Sequence, residues 1–211
     1  MKAALSIVGG AIKDAWGDLW TMLVCNLLWL LANLLVIPGP PATLALVQYT
    51  NRLAHGEVAD FSDFWKAFRG YWGPAWRWGA INLGVVAFLL GDFLLTSLSG
   101  QGVWQQYLQG LYLALLVAWL GVQFFALPFL FEQETMSVGQ ALRNGAALIG
   151  NNLAFAFILA GLLLLILIAS TFAFMLSFAF GAVILACAAN RAVLNRLETI
   201  KHTGENAAQP E

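Results

Sequence analysis

Charge is what this chain has least of. Asp, Glu, Lys and Arg make up 10% of its 211 residues, against 61% hydrophobic, where a soluble domain carries about 25% charged and about 45–50% apolar residues. So few charges cannot cover a water-facing globule, and a soluble fold is excluded. The net charge of −1 with neutral histidines leaves no electrostatic case for nucleic acid as a partner. Cysteine is scarce too. Cys25 and Cys187 both fall inside apolar runs, with no CxxC or CxxH spacing, and are expected to be small packing residues rather than a disulfide or metal pair. The sequence has no GxSxG, no HExxH and no phosphate-binding loop. His55 and His202 stand alone in polar segments, and Glu132 and Glu134 lie near a span end with nothing nearby to pair with them. No Ser–His or paired-Asp set occurs in the apolar runs, so no enzyme, metal site or cofactor is expected. The stretch Met1 to Trp20 carries Asp14 and Asp18 and has no small-residue cleavage site before polar sequence. Its apolar run is expected to be retained as an anchor.

What the chain does have is long apolar runs, with a mean hydropathy of +0.78. In lipid only helices and closed barrels satisfy every backbone group. Barrel strands alternate over about 10 residues, and these runs do not. The expected class is an all-α polytopic transmembrane helical bundle, residues 1–197, with a polar C-terminal tail at 198–211. The first span runs from Ala15 to Ile37, about 33 Å of helix, with Trp16 and Trp20 at its first interface and a helix-reversal turn at Pro38, Gly39, Pro40 and Pro41. A short helix, Ala42–Ala54, follows. Phe61, Phe64, Trp65 and Phe68 then recur at i, i+3, i+4 and i+7, with Lys66 and Arg69 off that face, the pattern of an amphipathic helix in the membrane interface. Pro74 reads as a break. Spans are expected at 79–98 and 108–131, separated by an uncharged loop at 99–106. A short helix from an N-cap at Ser137 to Ile149 comes next. The final apolar run, 153–189, amounts to about 55 Å as one helix and must fold back; Ser170-Thr171 is the expected turn.

Cations decide the short helix. Lys2 and Lys13, Arg52 to Arg77, Arg143, and Arg191 to Lys201 form four clusters, while the loops at 99–106 and 170–171 have none. By the positive-inside rule all four clusters belong on the cytoplasmic side. That holds only if Ala42–Ala54 crosses, with Arg52 snorkelling to the interface. The reading is six spans with both termini cytoplasmic in a cell inner membrane; the alternative is five spans plus a re-entrant second helix.

Few polar residues enter the spans. Asp92 is the one ionisable residue well inside, a candidate cation or proton ligand. Asn26 and Asn33, at i and i+7, are candidate interhelical contacts. Gly84 and Gly91 share a face, as a close-packing groove requires. Phe61, Phe64, Trp65, Lys66, Phe68, Arg69 and Arg143 are candidates for contact with the interface or a partner.

Three stretches carry a resemblance: Asn26-Leu27-Leu28-Trp29-Leu30-Leu31, Pro38-Gly39-Pro40-Pro41-Ala42-Thr43-Leu44-Ala45-Leu46, and Asp63-Phe64-Trp65-Lys66-Ala67-Phe68. Together they resemble the YesL-like family of bacterial membrane proteins of unknown function. The likeness covers residues 15–95, Asp92 included, and Pro41 departs from the family's turn. It implies a bacterial inner membrane, association with carbohydrate-uptake systems and no catalytic residues. The expected function is therefore a non-enzymatic accessory or assembly component of a transport system. Its partners would be the bilayer and a transporter permease, or a second copy of itself. The alternative is a small-solute transporter or channel in its own right, as an oligomer.

Overall fold

The computed structural model describes residues 2–17, 19–100, 102–172 and 174–207, apart from the side chains at 2, 14–17, 169–172, 174–181 and 202–207. The side chains of Lys2, Asp14, Asp18, Ser170, Thr171 and His202, named above, therefore lie outside the described set. Among the described residues the chain forms nine helices and no strand. These are α1 (Lys2–Gly17), α2 (Leu19–Leu34), α3 (Gly39–Ala54), α4 (Phe61–Gly70), α5 (Trp72–Leu98), α6 (Val103–Phe129), α7 (Val138–Asn151), α8 (Leu153–Phe172) and α9 (Phe174–Ala207). Two of them, α5 and α6, are each long and apolar enough to cross a membrane; the pair α7 and α8, bent by 99° at Asn152, raises the number to three if it counts as one span. This is a helical membrane protein.

Side-chain contacts fix how the helices run. Trp78 Nε1 donates to Gln123 Oε1 and Trp119 Nε1 to Asn82 Oδ1, so α5 and α6 are antiparallel. The Arg196 guanidinium lies over the Phe155 ring, which brings the start of α8 beside the far half of α9 and makes those two a hairpin. Helix α8 runs on through Phe172, past the turn expected at Ser170-Thr171. In the α2–α3 hairpin Trp29 Nε1 donates to Thr43 Oγ1 at 3.0 Å.

That hairpin corrects the expected turn. The chain reverses over 35–38, and the positive φ of 65° belongs to Val36, not to Gly39. Pro38 is the N-cap, and Gly39, Pro40 and Pro41 form the first turn of α3, where a proline's missing N–H is unneeded and its fixed φ is already helical. Gly39 matters for space: a Cβ there would sit 3.0 Å from Asn33 Oδ1. Pro74 likewise opens α5 rather than breaking it, the break falling at Tyr71. The loop between α5 and α6 shrinks to 99–102. Gly84 and Gly91 face open space, so the expected glycine groove is absent there. The close packing is elsewhere: Gly79 lies under Pro40, and Gly145 of α7 meets the backbone of α6.

Helix α1 was not expected. Its Ala4, Ile7 and Ala11 recur at helical spacing and are buried against α8 and α9. Helix α3 stands at the centre, touching α2, α4, α5, α6 and α9, and ten of its sixteen residues are buried. Cys25 and Cys187 are buried and form no disulfide.

Candidate functional site

The C-terminal end of α3 carries the densest polar contacts. Asn190 of α9 has no exposed surface. Its Nδ2 donates to Thr50 Oγ1 at 2.9 Å, with the Ala186 and Val47 carbonyls at 3.0 and 3.2 Å. Its Oδ1 accepts from Asn51 Nδ2 at 3.1 Å, and that same nitrogen donates to Glu132 Oε1 at 2.6 Å. His55 Nε2 reaches the same carboxylate oxygen at 3.0 Å. Helices α3 and α9 and the two loops that carry His55 and Glu132 are thus tied together by one continuous set of hydrogen bonds. Glu132 also borders a cavity of about 400 Å³ with Gln133, Glu134, Thr135, Gln140 and Asn144. This corrects two expectations. Glu132 does have partners, and His55 is not alone; the partners lie 77 and 81 residues away in sequence, beyond the reach of any local pattern. Neighbouring amides and an imidazole hold the carboxylate in place, and no hydroxyl or thiol nucleophile is bonded to the His55 ring among the described residues.

Next to this cluster lies the aromatic helix. An Asp60 carboxylate accepts from the Asp63 N–H while Asp63 Oδ2 accepts from the Asp60 N–H, a reciprocal cap that starts α4. Asp63 also pairs with Arg52, which bonds Glu57 as well, so α4 is pinned to the end of α3. Phe64 and Ala67 turn into the core. Phe61, Trp65 and Trp72 remain 40%, 38% and 39% exposed, and their rings form a ladder with Phe68: Phe61–Trp65 at 6.4 Å, Trp65–Phe68 at 5.3 Å and Phe68–Trp72 at 6.0 Å. Arg69, expected off this face, lies 4.8 Å over the Trp65 ring. Lys66, Arg69 and Arg77 are exposed. The result is a rigid rim, aromatic and basic, presented at one end of the bundle.

The Ser62 hydroxyl first, and then the Asp63 N–H, hold the Asp60 carboxyl below its ordinary range. A lowered pKa in the folded state means the cap contributes fully above the ordinary carboxylate range and is lost as pH falls through the lowered value. Amide-exchange protection of 61–70 is therefore expected to fade only in acid, and Asp60→Asn, which keeps a cap that cannot titrate, should flatten that fade. An unchanged fade in Asp60→Asn would place its origin elsewhere.

The other residues singled out from sequence do not converge. Asn26 is buried and accepts from the Ala182 N–H, joining α2 to α9. Asn33 is exposed and bonds the Trp29 carbonyl of its own helix. Asp92 is half-buried on α5 and hydrogen-bonds no described residue. Arg143 is exposed on α7, whose Ser137 caps it as expected, accepting from the Gln140 N–H. Sequence reasoning passed over Thr50, Asn51 and Asn190, and also the second polar set Trp78–Asn82–Trp119–Gln123 between α5 and α6. The available signal was a carboxamide standing inside an apolar run.

Residues 22–93 match a family described as protein of unknown function, DUF624. The matched stretch takes in most of α2, the turn, all of α3 and α4, and α5 as far as Phe93, Asp92 included. Neither the curated proteins nor the solved structures yield a match to this chain.

Proposed function

We propose that this chain is a non-enzymatic component of a bacterial inner membrane that docks a transport protein through the aromatic–basic rim of α4. One observation carries this reading. The ring ladder from Phe61 to Trp72 stays open to contact although α4 is locked by its cap and by Arg52. Exposed aromatic anchors beside cations suit a partner with an apolar patch and acidic groups at the same membrane edge. The YesL-like resemblance supports a carbohydrate-uptake system as the setting.

The orientation adopted is six crossings, formed by α1 with α2, then α3, α5, α6, α8 and α9, with both termini cytoplasmic. Its supports are the antiparallel hairpins and the gathering of Arg52, Glu132 and Asn190 at one end. Helix α3, about 24 Å long, is shorter than an ordinary span but is shielded by protein on most sides. Reporter fusions after Gly56 and after Gly102 should report opposite sides; the same side for both would sink the six-span orientation.

The functional reading is tested by purifying the tagged chain from native membranes after crosslinking. A stoichiometric permease should co-purify with the unaltered protein and be lost with Trp65→Ala plus Arg69→Glu, both exposed positions. A second reading, an autonomous solute carrier, draws on Gln123, whose Nε2 is buried without a partner among the described residues in the α5–α6 polar set. Sugar flux in liposomes containing the pure protein, abolished by Asp92→Asn or Gln123→Leu, would replace the docking reading with that one.

A further inference from the structure

Where α7 gives way to α8, the helices α1, α8 and α9 border a cavity of about 410 Å³ lined by Ala3, Ala4, Asn151, Asn152, Phe155 and Arg196 among others. The Arg196 guanidinium is stacked 3.8 Å over the centroid of the Phe155 ring, and that ring is buried. Stacking uses the face of the guanidinium and leaves its edge to donate. Yet Arg196 forms no ion pair with a described carboxylate, and its Nε is shut away from solvent with no hydrogen-bond partner. The Nε lies too deep for an acceptor in the cavity to reach, so the donors offered there are the two Nη groups, which hydrogen-bond no described residue.

The surroundings say what kind of acceptor fits. The chain bends by 99° at Asn152, so α8 starts at the cavity wall, and Leu153, Ala154 and Phe155 of its first turn line it. That turn contains no acidic residue, so no side-chain carboxylate competes for its leading amides. Asn152 Nδ2 is turned back onto the Leu148 carbonyl, while the Asn151 side chain is exposed. No carboxylate lines the cavity. A cation with a free edge, a carboxamide and helix-end amides make a receptor for a compact oxyanion. Below them, Ala154 and Ile158 continue the wall as an apolar surface.

We propose that this cavity binds a phosphate group through the edge of Arg196 and the start of α8. Two sources present that chemistry here, the headgroup of an inner-leaflet phospholipid and free phosphate. The experiment uses the full-length protein in detergent. Native mass spectrometry compares retention of dioleoyl phosphatidylglycerol with dioleoylglycerol, which has the same tails and no phosphate. Melting curves with and without inorganic phosphate form the second arm. The unaltered protein should retain the phospholipid at least about tenfold better than the diglyceride, the worth of one charged hydrogen bond. Arg196→Gln should abolish the preference. Asn151→Asp, at an exposed position that does not threaten folding, should weaken it by placing a negative charge at the mouth. Retention lost in both variants supports the headgroup. A melt raised by phosphate in the unaltered protein alone supports the free anion. Equal phospholipid retention by all three proteins, with no shift from phosphate, overturns the proposal.

Discussion

Gly145→Val is expected to lower the melting temperature of the detergent-solubilised protein by roughly 6–12 °C, or to remove most of its folded yield. A Cβ at Gly145 would lie 2.9 Å from Ala126 N, 3.0 Å from Val122 O and 3.1 Å from Ala126 Cα. All three are atoms of the α6 backbone, so no rotamer change can make room and the two helices must move apart. Overpacking a well-filled contact costs about 1–3 kcal/mol, and forcing helix axes apart sets the cost at the upper end, about 3 kcal/mol. At roughly 2–4 °C per kcal/mol for a chain of this size, the shift follows. Small residues let helices approach closely in lipid, where dispersion and not water drives association. Gly139→Ala, on the same helix and with nothing within 4 Å of its Cβ, is the control and should leave the melt unchanged or slightly raised. A melt for Gly145→Val equal to that of the control would show that α6 and α7 are not packed backbone to backbone.

The second large effect is expected at Asn190→Leu. Its carboxamide joins α9 to Val47, Thr50 and Asn51 of α3 where no solvent can replace it. Leucine leaves one Asn51 N–H without an acceptor and puts a methyl group against the Thr50 hydroxyl, at about 1–3 kcal/mol for each stranded group. Asn51→Leu alone should cost a similar amount, since it also releases Glu132. Because each single change strands the other residue of the pair, the double variant should cost clearly less than the sum of the two. Melts of the four proteins give the coupling directly, and strict additivity would mean that the amide pair does not exist in the folded protein.

The pieces legible in the sequence were those that local physics decides. Helices α5 and α6 follow from apolar length alone, and α7 was announced by the Ser137 cap. The proline cluster was legible as the end of a span but was misjudged in detail, because proline halts one helix and starts the next with equal ease. Helix α1 left only a faint trace. Its inward stripe is Ala4, Ile7 and Ala11, too slight to stand out beside Gly9, Gly10, Lys13 and Asp14. Gly10 is explained only by a residue far along the chain, since a Cβ there would lie 2.8 Å from Arg191 Nη1. For the polar cluster, the charge map already placed Arg52, the Glu132 segment and Arg191 at one end of the bundle. That Asn51, Glu132, His55 and Asn190 meet there depends on which helices are neighbours, and no pattern within one helix encodes that.

Helix α3 has a consequence for how the protein is made. Thr43, Gln48, Thr50, Asn51 and Arg52 lie within its sixteen residues, too polar a segment to leave the insertion machinery for lipid unaided. It is accommodated because α2, α5, α6 and α9 surround it, and three of those four are synthesised after it. During synthesis the packing partners of α3 other than α2 and α4 are therefore completed only as the later helices arrive. The last of them, α9, brings Asn190, and with it the final hydrogen bonds that hold α3 in the bundle.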